Sequence, residues 1–189
     1  MRLVLACVAL AALSCGGGSS GTSTGSATFV GTIQGASFTP RDAISSNVST
    51  PAGQSGVVVV GSVPNLCSLL TAGKGPKSSQ VLVLTALKEQ PDHRSTAAPS
   101  SPGTYRFSDP DAAAFAVFVA FDDNCQDRGL SSDGFGTSGS VTFTSVGDHY
   151  AGSFDFIFNA TDHATGTFDA PACPALAKLV QDRSSLACQ

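Results

Sequence analysis

The sequence predicts a mainly β domain: an antiparallel β-sandwich or β-barrel of about eight strands with one or two short helices. Three observations carry that expectation. Short β-branched and aromatic runs recur between Gly, Pro, Asn and Asp turn signals. Ala112 to Phe121 is the strongest strand candidate, with Phe115, Val117, Val119 and Phe121 on one face and Ala114, Ala116, Phe118 and Ala120 on the other. The last third reads as a meander in which Phe154, Phe156 and Phe158 project from one face of a single strand.

Each element has its own reason. Ala27 to Phe38 alternates loosely, with Phe29 and Ile33 set among Gly and Thr. Val57-Val58-Val59-Val60 is a continuous apolar strand, stiff at χ1 throughout. Ser62 can cap a helix with Pro64 in its first turn and Gly73 as its stop. On that helix Val63, Leu66, Cys67 and Leu70 share a face, which turns Cys67 to the core. Val81-Leu82-Val83-Leu84 repeats the strand pattern, and Thr104 to Phe107 is a short candidate. Ala112 to Phe121 is apolar on both faces and so should be covered on two sides; three Phe and two Val outweigh its alanines in favour of strand. Ser140 to Val146 and Tyr150 to Phe158 flank a hairpin loop at Gly147-Asp148-His149, and a turn at Thr161-Asp162 leads into Ala164 to Ala170. Pro174 opens a second helix with Leu176, Leu179 and Val180 on one face. Phe115, Val117, Val119, Phe121, Phe154, Phe156, Phe158 and Phe168 are the expected core.

The N-terminus reads as an address. Arg2 leads an apolar stretch from Leu3 to Leu13, too short for a spanning helix of about 20 residues. Ala12-Leu13-Ser14 before Cys15 has the form of a lipobox. Residues 1–14 are then a lipoprotein signal peptide. Residues 15–26 are the lipidated Cys15 with a flexible Gly/Ser/Thr tether reaching on the order of 20 Å. Residues 27–189 form a single β-rich domain. Cys15 would carry the acyl chains, each buried CH₂ contributing about 0.8 kcal/mol to anchoring. Gly16 follows where an inner-membrane retention signal carries Asp, so the expected address is the outer membrane, on its periplasmic or its surface face.

Composition narrows the function. Of the 10 Lys and Arg only Arg2 leaves with the leader, so nine face 14 acidic residues and the mature formal net charge is −5. That disfavours nucleic acid, which wants a basic stripe. Charged residues are 13 % of the chain, well below the roughly 25 % of a typical soluble protein. Cys7 leaves with the leader and Cys15 takes lipid, so Cys67, Cys125, Cys173 and Cys188 remain. Four cysteines in an exported chain imply two disulfides in one of three connectivities. None of the paired spacings of a zinc site is present. The pairing Cys67–Cys173 with Cys125–Cys188 is favoured, because the first bond would pin the Ser62 helix to the end of the last strand.

Catalytic patterns occur in the wrong settings. Gly21-Thr22-Ser23-Thr24-Gly25 fits G-x-S-x-G but sits in the tether, without the strand and helix that a nucleophile elbow needs. Gly134-Phe135-Gly136-Thr137-Ser138-Gly139 fits G-x-G-x-x-G but leads into a strand, not a helix N-terminus. His93, His149 and His163 read as turn histidines and not as a metal set. Asp122, Asp123, Asn124, Asp127 and Asp133 gather oxygens without the spacing of a calcium loop. Asp109-Pro110-Asp111 reads as a turn. No catalytic residue, metal or cofactor is nominated.

Three segments carry a resemblance: Gly31 to Ala43, Ser138 to Thr144, and Gly166-Thr167-Phe168-Asp169-Ala170-Pro171-Ala172-Cys173. With the lipobox they resemble the predicted lipoproteins abundant in myxobacteria, through most of the mature chain. The resemblance implies a location and a fold type, and no activity. The expected protein is a membrane-anchored envelope lipoprotein, a non-enzymatic binding or structural module with an envelope partner. The alternative is an envelope hydrolase whose site the sequence does not reveal.

Overall fold

The computed structural model describes residues 24–51, 53–127, 132–182 and 186–188; Cys15, the leader and most of the tether lie outside them. The strands are β1 (Ser26–Ala27), β2 (Val30–Gly31), β3 (Asp42–Thr50), β4 (Gly53–Gly61), β5 (Lys74–Gly75), β6 (Ser79–Glu89), β7 (Thr96–Ala97), β8 (Gly103–Arg106), β9 (Ala112–Phe121), β10 (Ser138–Ser145), β11 (His149–Ile157), β12 (His163–Pro171) and β13 (Ala187–Cys188). Two helices, α1 (Leu66–Thr71) and α2 (Pro174–Asp182), accompany them.

One 11-stranded sheet runs β1-β12-β11-β10-β8-β9-β6-β7-β4-β3, with β2 beside β12 and β4 also paired directly to β6. Its ends meet. Ser45 of β3 bridges Ala172, its hydroxyl donates to the Ala170 carbonyl at 2.7 Å, and the Cys173 N–H donates to the Ser45 carbonyl at 2.7 Å. The sheet is thus a nearly closed barrel, which removes most of the exposed strand edge. The expected β architecture stands, but the strand count exceeds eight, because several short pieces complete the wall. The sheet is also mixed: β8–β9 and β4–β7 pair in parallel, each through a single residue pair.

Alternation sorts the wall into two cores. Inward positions build a barrel interior from Val58, Val60, Leu82, Leu84, Ala114, Ala116, Phe118, Val141, Phe143, Tyr150, Phe154, Phe156, Phe158 and Phe168. The Tyr150 ring is fully buried, its hydroxyl donates to Asn47 Oδ1 at 2.6 Å, and burial reinforced by nearby Tyr105 pushes its pKa up to about 12. A second core lies outside the barrel, where Ile44, Val48, Val57, Val59 and Val81 meet Leu66, Cys173 and Leu176 under the helices. The run Val57–Val60 is apolar without interruption because both of its faces are buried.

Two expectations need correction. Phe154, Phe156, Phe158 and Phe168 are buried, but on β9 it is the Ala114–Ala116–Phe118 face that fills the barrel. Phe115 is 40 % exposed and Val117, Val119 and Phe121 are half-buried, because the helices lie over β3, β4 and β6 and leave much of the outer face of β9 uncovered. The first helix starts at Leu66, not after Ser62. Ser62 continues the β4–β6 ladder, donating its N–H to the Gln80 carbonyl while its hydroxyl accepts the Gln80 N–H, both at 2.9 Å. The free N–H of Leu66 is instead met by buried Asp42 at 2.7 Å.

Candidate functional site

The two helices roof an apolar chamber of about 260 Å³. Its floor is the outward row of the barrel wall: Ile44 of β3, Val57 and Val59 of β4, and Val81 and Val83 of β6. Leu66 and Leu70 come down from α1, and Leu176, Leu179 and Val180 from α2. Pro76, Phe121 and Leu186 complete the lining, which contains no polar side chain among the described residues. Such a chamber holds an occupant by excluding water.

Covalent bonds hold the roof in place. Cys67 of α1 is joined to Cys173 at the end of β12, directly before α2. Cys125, in the loop after β9, is joined to Cys188 of β13. β13 pairs in parallel with β5, and the Ala187 N–H donates to the Gly73 carbonyl at 2.8 Å, which sets Leu186 beside the opening. An outer cleft of about 520 Å³ adjoins the chamber through Leu70, Leu179 and Leu186, and Thr71 and Lys178 bring polar groups to it.

The N-terminal segment is fastened to the same end of the molecule. The Asp42 carboxylate accepts the Leu66 N–H through one oxygen and the Gly25 and Ala43 N–H groups through the other, at 3.0 and 2.9 Å. Of the residues assigned from sequence to the tether, Ser26 therefore already belongs to the sheet and Gly25 is fastened to Asp42. A second buried carboxylate, Asp162, straps residues 32–35: it accepts from the Thr32 hydroxyl at 2.7 Å, the Asn159 amide at 2.8 Å and the Gly35 N–H at 3.1 Å. The Thr32 bond leads in drawing its pKa below the ordinary value, helped by Asn159 and backbone N–H groups and opposed by burial.

The outer wall of β10, β11 and β12 is a different surface. Thr142, Ser153 and Thr167 lie side by side in register, extended by hydrogen bonds from Thr142 to Thr104 and from Thr167 to Thr28, each 2.9 Å. A polar depression of about 410 Å³ opens there around Gly166. His163 shares a hydrogen bond with Asp155 at 2.8 Å and His149 with Asp169 at 2.5 Å. His163 pairs with Ile157, eight residues along β11 from His149, so the two histidines stand roughly 27 Å apart. They do not share a site.

The other residues singled out in sequence are engaged locally. His93 contacts Glu89 at 3.0 Å on the surface. Asp122 accepts the N–H groups of Asn124 and Gln126 at 2.8 and 2.9 Å, and Asp123 accepts from the Ser78 hydroxyl, so these acids organise their own loop. Asp127 forms a backbone bridge to Phe121, and Asp133 lies in a 3₁₀ turn over Ser132–Gly134. Asp109 accepts the N–H groups of Asp111 and Ala112, which makes the expected turn. Gly139 of the G-x-G-x-x-G run has φ of 133°, and a Cβ there would fall 2.1 Å from the Asp155 carbonyl oxygen. That glycine serves close packing between strands. The G-x-S-x-G run lies outside the described residues from Gly21 to Ser23.

Sequence reasoning did not single out the chamber. Its signal was present in the apolar residues at both inward and outward positions of β4 and β6, opposite two short amphipathic helices. No protein-family model, curated protein or solved structure matches this chain.

Proposed function

We propose that this chain is a lipid-anchored envelope lipoprotein whose β-barrel is a non-enzymatic binding module, with the chamber under α1 and α2 as its binding site. The chamber itself carries the reading. Its thirteen described lining side chains are apolar, so they can bind by burying apolar surface, and none of them can move a proton or attack a bond. The lipobox ending at Cys15 supports anchoring, and the two disulfides suit an oxidising compartment outside the cytoplasm.

Two measurements test this. Cys15→Ser should release the protein from the membrane fraction or stall its processing; unchanged acylation of that variant removes the anchoring half. Pull-down from detergent-solubilised envelopes should recover a bound partner or lipid-derived ligand. If it recovers neither while the purified protein hydrolyses ester or peptide substrates, the module is an envelope hydrolase instead.

A further inference from the structure

We propose that the Cys125–Cys188 disulfide is a redox latch on the chamber, and that its reduction by a protein dithiol frees Leu186 and opens the chamber to ligand exchange. This rests on the binding-module reading above and assigns that site its regulation.

Leu186 stands where three spaces meet. It lines the chamber, the outer cleft and a second cleft of about 260 Å³ bounded by Gly75, Pro76, Phe121 and Cys125. Among the described residues, Leu179 of α2 is the one other side chain that borders all three. The two leucines are thus the partition between the chamber and both ways out. Leu179 is carried by α2, which follows directly on the Cys67–Cys173 bond. Leu186 lies just before β13 and packs over β5, where a Cβ on Gly75 would fall 3.3 Å from the Leu186 Cβ.

Little besides the second disulfide holds Leu186 there. Among the described residues, its segment is otherwise attached by the two-residue parallel pairing of β13 with β5 and by the Ala187 N–H bond to the Gly73 carbonyl at 2.8 Å. So short a pairing is marginal in water. The two disulfides also differ in access. Cys173 is fully buried, whereas Cys188 is exposed. Exchange needs a thiolate to reach a sulfur, so the Cys125–Cys188 bond is the one open to attack.

In the opening step a thiolate of the dithiol attacks Cys188 Sγ. A mixed disulfide forms, the Cys125–Cys188 bond breaks and Cys125 leaves as a thiolate. The second thiolate of the dithiol then attacks its partner sulfur and expels Cys188 as a thiolate. The protein disulfide has gained two electrons, the dithiol is oxidised to a disulfide, and its two protons pass through solvent to the two cysteines. Leu186 is then released from the partition, while Cys67–Cys173 keeps the roof over the chamber.

The test uses the mature chain carrying Cys15→Ser, with dithiothreitol as the dithiol and 1-aminonaphthalene, an uncharged fluorophore of ten carbons, as the probe. Benzene fills an apolar cavity of about 150 Å³, about 25 Å³ per carbon, and at that ratio 260 Å³ takes roughly ten carbons. Graded reduction, alkylation and peptide mapping should modify Cys125 and Cys188 at dithiothreitol concentrations about tenfold or more below those that modify Cys67 and Cys173. Stopped-flow fluorescence should show probe entry and release about tenfold or more faster once that first bond is open. Cys125→Ser combined with Cys188→Ser should exchange the probe as fast without dithiothreitol and be indifferent to it. Leu186→Ala removes the partition with both disulfides intact and should also speed exchange, whether or not the double variant folds. Absence of probe binding in both redox states, or equal exchange rates in the two, overturns the latch, as does earlier opening of Cys67–Cys173. Faster exchange that persists in both Val83→Phe and Val180→Trp, which place a ring in the chamber, takes place elsewhere and overturns it too. If reduction changes nothing while the envelope pull-down still captures a partner, the latch falls and the binding module stands. Ester or peptide hydrolysis by the protein removes the module reading, whatever the bond does to probe exchange.

Discussion

Buried Asp42 holds Gly25 and the start of α1, and buried Asp162 holds residues 32–35. Asp42 and Asp162 each accept hydrogen bonds from N–H or O–H donors of the described residues. For Asp162 the consequence can be measured. Its pKa in the folded state lies below the unfolded value, so its contribution to stability is fully present above the ordinary carboxylate pKa of about 3.9. That contribution is lost as pH falls through the lower folded value. Amide exchange of residues 32–35 should therefore accelerate selectively below about pH 4. In Asp162→Asn the exchange should already be fast at neutral pH and show a much smaller acid step; an identical pH profile in both proteins would refute the strap. Tyr150, with its pKa raised to about 12, keeps its proton and its bond to Asn47 across the same range.

At the scale of elements, β9 makes the sharpest test because both of its faces look apolar. Phe118 fills the barrel while Phe115 leans on Phe107 at the surface, ring centroids 6.1 Å apart. Phe118→Ala should cost about 3–5 kcal/mol in urea unfolding. Phe115→Ala, with less surface to lose and no sealed cavity left behind, should cost under about 1.5 kcal/mol. Equal losses would mean that the two faces are equally covered. The periodicity of β9 is plain in the sequence, but which face turns inward depends on where the helices lie. The same limit explains Ser62, a sound cap by residue type that is held extended by Gln80 of β6.

The whole molecule depends on connections between distant parts of the chain. Cys67–Cys173 links positions 106 residues apart and ties the helical roof to the strand that closes the barrel on β3. Cys125–Cys188 spans 63 residues and fixes the C-terminal end beside the same chamber. Replacing Cys67 and Cys173 together by Ala should lower unfolding free energy by about 2–5 kcal/mol, read from the denaturation midpoint. The near-ultraviolet signature of the barrel aromatics should survive at low temperature, because their packing lies on the other side of the wall. Loss of that signature under native conditions would show that barrel and roof form one cooperative unit needing the bond to fold at all.

By itself the sequence determined what local chemistry can encode. Alternation placed the Phe154–Phe156–Phe158 face inward, turn residues placed Gly147 and Asp109, Pro174 opened α2, and four cysteines in a chain read as exported implied two bonds. The sequence favoured the cysteine pairing that forms, but only the tertiary structure decided it among three connectivities, along with how the strands close and that outward valines on β4 and β6 face two helices across an open chamber. The reason is physical. Side-chain period and turn propensity act over a few residues. Barrel closure, the pairing of Cys67 with Cys173 and the room left under α1 and α2 arise from contacts between segments more than 100 positions apart, which no local pattern records.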